Sequence, residues 1–374
     1  MKLQSISCVL LALAGACASA DSAPEPSEGV APAQAELRIA RGGAVFTLSN
    51  EAEGNRVLAF ARAGDGSLGE QVAYPTGGMG SGDSLGSQAA LALSEDHRFL
   101  VAVDAGSNEL SAFAVDGARL KLRDRVASGG MRPVSVTVRS GLVYVVHAGG
   151  SNNVAGFALD GRGRLHALPG ANRLLSAESV GPGQIALSPD ARELVVTEKG
   201  TSKIDMFRVS AFGRLEPAIF ADAAGRTPFG FEFTSRGDIV VSEAATTSAS
   251  SYAVDRRGVR LITGPISDTQ AAPCWVVVAR DDRHAYVANA GSASVSTYSI
   301  ERNGEIALVD ARDGELGEGG RPLDMAMDRN GKYLYVLDRG NASIASFDVA
   351  RDGSLEPSFA AGELTPFASG LAGY

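Results

Sequence analysis

The sequence is poor in the residues that most often carry chemistry: three cysteines, four histidines and one tryptophan among 374 residues. Cys8 and Cys17 fall in an N-terminal apolar segment, which leaves Cys274 alone in the rest of the chain. A disulfide needs two thiols, so the fold has to rest on its core, as a chain of this length can. Without a histidine close in sequence, Cys274 reads as an inert buried residue and not as an activated nucleophile. A single tryptophan, Trp275, is too little for an aromatic floor beneath a quinone, and no cofactor or metal is expected. Basic residues are scattered and the formal charge is −9, which excludes nucleic acid as a partner, since neutralising phosphates takes clustered Lys and Arg. Long apolar runs are absent as well: nothing approaches the ~20 residues of a membrane-spanning helix, so the protein is not expected to be transmembrane.

The first 20 residues have the pattern of an export signal. Lys2 supplies a minimal charge and Val9–Ala14 a short apolar core. Two processing routes are open. Ala18-Ser19-Ala20 is a small-x-small cleavage site, and Ala14-Gly15-Ala16-Cys17 is a loose lipobox that would make Cys17 a lipid anchor. Residues 21–40, rich in Pro, Ala and Glu, read as a flexible tether. The expected product is periplasmic or extracellular, monomeric, and folded over residues 41–374.

What the chain has in plenty is glycine, 45 residues, and a repeat. A short apolar strand ending in a polar residue, a small-residue turn and an alternating strand recur along its length. Leu100-Val101-Ala102-Val103-Asp104 returns as Val143-Tyr144-Val145-Val146-His147, Leu194-Val195-Val196-Thr197-Glu198 and Ile239-Val240-Val241-Ser242-Glu243. Later copies end at Asn289 and Asp338, and the earliest at Asn50. Seven copies at spacings of 43 to 54 residues are the length of a four-stranded propeller blade. The expectation is an all-β, seven-bladed β-propeller. Later blades open with a strand preceded by proline, as in Arg132-Pro133, Gly181-Pro182 and Arg321-Pro322, and the first blade lacks one. Thr365-Pro366 and Ser369–Leu371 repeat that pattern at the C-terminus, so the last segment is expected to be the innermost strand of blade one, removing the sheet edges.

Asn50, Asp104, His147, Glu198, Glu243, Asn289 and Asp338 occupy equivalent places and should ring one face, some toward the central channel. Such a set suits a cation or the activation of water beside a polar substrate. Asn and Asp also favour turns for local backbone bonding, a purely structural reason to sit there. Glu198 and Glu243 lack that preference. His97, His166 and His284 fall in turns or at an outer edge. Gly77–Gly82 precedes no helix and reads as a loop, not a phosphate cradle.

Gln184-Ile185-Ala186-Leu187-Ser188-Pro189-Asp190, Val195-Val196-Thr197-Glu198-Lys199-Gly200 and Asp328–Val336 carry a resemblance. From about Ala44 to Tyr374 the chain is similar to the lactonase-type seven-bladed propellers, the group that includes 6-phosphogluconolactonase and carboxymuconate-cyclising enzymes. The resemblance implies a small-molecule lactone or carbohydrate as ligand. It also implies a catalytic histidine and arginine on innermost strands, and a glutamate closing a second strand. Glu198 matches the glutamate. The arginine's place reads Gly181-Pro182-Gly183-Gln184 and the histidine's strand Met131-Arg132-Pro133-Val134-Ser135, so neither is matched. The functional expectation is an exported hydrolase or isomerase of lactones. In it Glu198 handles a proton, His147 stands nearby and Arg132 steadies charge, while Asp104, Glu243, Asn289, Asp338 and Arg321 contact ligand. The alternative is a non-catalytic propeller that binds a carbohydrate, metabolite or protein through the same face; a six-bladed gluconolactonase-like enzyme with a channel-bound calcium is a distant third, suited by the acidic ring but not by the blade count.

Overall fold

The computed structural model describes residues 42–374. The signal segment, the cleavage site, Cys17 and the tether lie outside the described residues. Within them are seven antiparallel sheets and no helix. Each sheet is a blade, ordered from channel to rim by its chain order in blades two to seven. In blade three the rim position is shared by two short strands, Leu165–Ala167 and Arg173–Leu174.

Burial follows position in the blade. The second strands Phe99–Asp104 and Glu193–Glu198 are buried along their whole length, as are the inner strands Pro273–Val278 and Pro322–Met327. Both faces of these strands meet a neighbouring blade, so their apolar residues largely run together and do not alternate with polar ones. The rim strand Leu355–Ala361 buries one residue of seven. Tyrosines on three second strands stitch neighbouring blades: the hydroxyls of Tyr144, Tyr286 and Tyr335 donate to the carbonyls of Gly213, Gly353 and Gly66 at 2.7, 2.9 and 2.7 Å. Those glycines sit at φ of 71°, 89° and 85°, a turn conformation open to them for lack of a Cβ.

The ring closes as the terminal repeat implied. Ser369–Gly373 pairs antiparallel with Ala44–Leu48, with Thr47 opposite Leu371, and lies innermost in blade one. Thr47 Oγ1 donates to Gly370 O at 2.6 Å, and the buried Arg62 donates to Tyr374 O at 3.1 Å while pairing with Asp328 of blade seven at 4.0 Å.

Blade two departs from the repeat. Its inner strand, Leu91–Leu93, is only three residues long. It also lacks the opening proline of its successors. The chain that should lengthen it, Ser84–Ala89, crosses the channel as a strap. Ser87 Oγ donates to Val134 O of blade three at 2.7 Å, and Gln88 N to Gly183 O of blade four at 3.0 Å. The Gln88 amide bonds both backbone groups of Val276 in blade six, at 2.7 and 2.9 Å. Ala89 N donates to Asp324 of blade seven at 2.7 Å. The strap divides the channel into a mouth on the face of the inter-blade crossovers and a funnel on the opposite face.

Candidate functional site

The seven strand-ending residues do ring the crossover face, but none is more than 2 % exposed, and Glu198, expected at the channel mouth, is fully buried. Their polar atoms are spent on crossover loops and on the third strand of the blade, except Asn289 Oδ1, which has no partner among the described residues. Asp104 accepts from Thr76 in the crossover entering its blade (2.6 Å), from Asn55 of blade one (2.9 Å) and from Ser111 (2.6 Å). Burial outweighs these donors and holds its carboxyl above the usual range. Glu243 accepts from Gly225 N at 2.7 Å and from the hydroxyls of Ser248, Ser250 and Tyr252 at 2.9 Å each. Asp338 takes Arg321 N at 2.7 Å and Asn341 Nδ2 at 2.8 Å. Asn289 donates to Ser294 and Ser296 at 3.1 and 2.8 Å, and Asn50 to Asp83 O at 2.7 Å.

His147 lies between Asn153 O and Ser128 Oγ, 3.0 Å from each. A carbonyl only accepts, so the ring proton is assigned to Nδ1 and Nε2 accepts from Ser128. Burial holds this histidine down to about 4, neutral through the physiological range. Glu198 accepts from Ser176 N at 2.9 Å and from the hydroxyls of Ser176 and Thr201. Beside it Asp205 is fully buried with no donor at either carboxyl oxygen, and burial plus the Glu198 carboxylate push it up to about 9. At neutral pH Asp205 is therefore an uncharged acid able to donate to Glu198. Except at Asn289, which bonds only the third strand of its blade, these residues clamp a crossover to the strands beside it.

What the crossover face brings together at the mouth is a different set. Lys199, next after Glu198, is half-buried with Nζ 4.7 Å above the Phe229 ring, and it donates to the strap at Gly86 O. Phe229 tilts against Trp275, ring centres 5.0 Å apart, and both are buried. Arg132 of blade three, exposed at the rim, donates to the strap at Ser84 O (3.4 Å), and Arg321 of blade seven is exposed on the far side. Burial, with Arg132 adding to it, lowers the Lys199 ammonium to about 8. Cys274, beneath this floor and within electrostatic reach of Lys199 and Arg321, is pushed by burial up to about 12 and stays a thiol. The residues entering three inner strands here, Arg132, Thr227 and Ala272, hold φ of 54°, 60° and 55° although none is glycine and each precedes a proline. Strain of this kind persists where surrounding structure enforces it, often at functional sites.

The structure thus unites Arg132 and Arg321 at the mouth and holds Glu198, His147, Asp104, Glu243, Asn289 and Asp338 in the clamps. Sequence reasoning passed over Lys199, Phe229 and the strap. The signal for Lys199 was its place one residue past a clamp, where a side chain must leave the buried strand. Among the described residues no group of His, Cys, Asp and Glu is gathered to hold a metal ion, and no helix is long and apolar enough to cross a membrane.

A family model described as lactonase, 7-bladed beta-propeller, matches residues 41–172 and 165–263. Among solved structures, a candidate 6-phosphogluconolactonase from Bacteroides uniformis superposes with a TM-score of 0.71 at 18 % identity, covering 89 % of this chain and 100 % of its own. A protein from Lactobacillus plantarum gives 0.72 at 16 %, covering 89 % and 99 %. The periplasmic gluconolactonase of Pseudomonas aeruginosa gives 0.68 at 17 %, covering 88 % and 99 %. No curated protein sequence matches the chain significantly.

Proposed function

We propose that this chain, which belongs to the lactonase family of seven-bladed β-propellers, opens a lactone ring by hydrolysis at the mouth of its crossover face, with Lys199 as the general base. The observation that carries the reading is the half-buried Lys199 amine, seated on the Phe229 ring within electrostatic reach of Arg132, with Arg321 in reach of Cys274 in the floor beneath. Desolvation removes the water that stabilises an ammonium, so a useful fraction is free amine just above neutrality, the range in which general bases work best.

In this reading Lys199 takes a proton from water as the water oxygen adds to the lactone carbonyl. Arg132 and Arg321 face the oxyanion that develops there and the carboxylate that remains once the ring oxygen leaves with a proton. Fixed cations beside a desolvated floor are worth more than the same charges in water. Glu198 acts at one remove, as a positioning residue. By holding Ser176 and Thr201 it fixes the turn from which Lys199 projects. The strap supplies the floor's lid on the channel side, so the substrate is held at the mouth and not threaded through the ring. Asp104, Glu243, Asn289, Asp338 and His147 fix the loops around it.

Export is part of the proposal. It is supported by the signal pattern of residues 1–20 and by the likeness of fold to a periplasmic gluconolactonase. Fractionation of cells producing the full chain should find it outside the cytoplasm.

The catalytic reading is tested with purified protein and a panel of five- and six-membered lactones between pH 6 and pH 9.5. Wild type should open at least one of them, with kcat/KM rising through a limb near the Lys199 value of about 8. Lys199→Met should lower kcat by about a hundredfold or more, the usual worth of a positioned base. Lys199→Arg should be equally impaired, because it keeps the charge and loses the base. A wild type inert toward the whole panel, or a Lys199→Met enzyme within a few-fold of wild type, overturns the assignment.

A further inference from the structure

On the face opposite the mouth, below the strap, the channel widens into a funnel of about 540 Å³. That lies within the ~300–1,000 Å³ of sites that enclose small ligands. The strap seals its floor with Gln88 and Ala89, and its walls come from the inner strands. Neither Lys199 nor Phe229 reaches it, so it is separate from the mouth.

Most inward polar groups are partly spent on stitching inner strand to inner strand, and what they leave over is informative. Glu232 uses one carboxyl oxygen to accept Val278 N at 2.9 Å, and the other has no protein donor. Gln184 accepts Phe231 N at 2.7 Å through its carbonyl, leaving its amide nitrogen without an acceptor. Arg280 donates to Met327 O and Asp328 O and keeps one terminal nitrogen unspent. Thr137 accepts Leu187 N at 3.3 Å and retains its own proton to donate. Asp324, wholly buried at the floor, accepts Ala89 N at 2.7 Å and Met325 N at 3.0 Å. Between these groups the wall is apolar, with Ala186, Val278 and Ala326.

The unspent set mixes donors and acceptors, with Arg280 cationic and the Glu232 and Asp324 carboxyls raised by burial, Asp324 to about 7. An anion entering above neutrality would meet the Asp324 carboxylate. A cation would meet Arg280 and Arg139. A neutral molecule bearing several hydroxyls meets neither penalty, because each hydroxyl both donates and accepts and can satisfy either kind of group. We propose that the funnel is a second binding site, for a neutral polyhydroxylated molecule of sugar size, independent of chemistry at the mouth.

The test is calorimetric titration of the full chain with neutral sugars and polyols (glucose, maltose, myo-inositol), beside glucuronate and glucosamine as charged counterparts of the same shape. At least one neutral compound should bind, and the charged ones should bind about tenfold more weakly or not at all, as expected when a buried charge is left facing its like. Ala186→Phe fills the funnel and should abolish binding. Gln184→Ala, which removes the free amide without adding bulk, should weaken it by about tenfold. Melting curves identify a variant that has not folded, and the second variant then decides. Lactone turnover should be unchanged in both, so failure at this site is read separately from failure at the mouth. Absence of binding by every neutral compound, tighter binding of a charged one, or binding that survives Ala186→Phe overturns the proposal.

Discussion

At the scale of single residues, the acid pair in blade four has a measurable signature. Asp205, held up to about 9 by burial and by Glu198, binds a proton in the folded protein that its unfolded counterpart releases near 3.8. Because the folded pKa is the higher one, this residue's contribution to stability is complete below about 3.8 and is lost as pH rises toward 9. Asp205→Asn removes the titration and keeps the volume. Its melting temperature should exceed that of wild type at pH 8.5, and the gap should shrink steadily toward pH 4. A difference independent of pH would show that the Asp205 carboxyl is not held above its unfolded value. Glu198 itself was legible as a special position from its place in the repeat. Its surroundings were not, because Ser176 and Asp205 come to it from a crossover and from a neighbouring strand.

At the scale of elements, the strap is the feature with the largest consequence. Its hold on the ring depends on Gln88, whose amide caps the Val276 backbone pair facing the channel. Gln88→Leu matches the side chain's bulk and leaves a buried N–H and C=O without partners. Each should cost about 1–3 kcal/mol, so the variant should unfold at markedly lower denaturant than wild type with an unchanged slope. If the segment is only loosely laid across the channel, the midpoint will not move. The repeat did not single this stretch out, and the loop reading of Gly77–Gly82 stopped short of it. That it turns inward follows from pairing partners on blades three, four, six and seven, which no local pattern can name.

At the scale of the whole molecule, ring closure concentrates stability in the last strand. Ser369–Gly373 supplies the partner of Ala44–Leu48 and brings blade seven against blade one through Arg62 and Asp328. Removing residues 364–374 should leave Ala44–Leu48 as an open apolar edge. The truncated protein should elute as aggregates in size-exclusion chromatography, whereas the full chain elutes as one species. A truncated protein that remains monomeric with an unaltered melt would show that the closure is dispensable. The first and last strands thus meet in a contact of high sequence separation, the kind that slows folding.

The amino-acid sequence by itself determined the strands, the number of blades and the closing segment, because those follow from short-range alternation, turn residues and a repeat that depend only on neighbours along the chain. It also singled out Arg132, Arg321 and the seven strand-ending positions. Which of these face a cavity and which are buried clamps was decided by tertiary structure alone. A carboxylate closing a strand looks the same in sequence whether its lone pairs meet water or, as at Glu243, four donors from a crossover and the next strand. Solvent access is a property of the closed ring. Only when the blades are in place does the strap divide the channel, leaving Lys199 on its aromatic floor at one end and a polar funnel at the other.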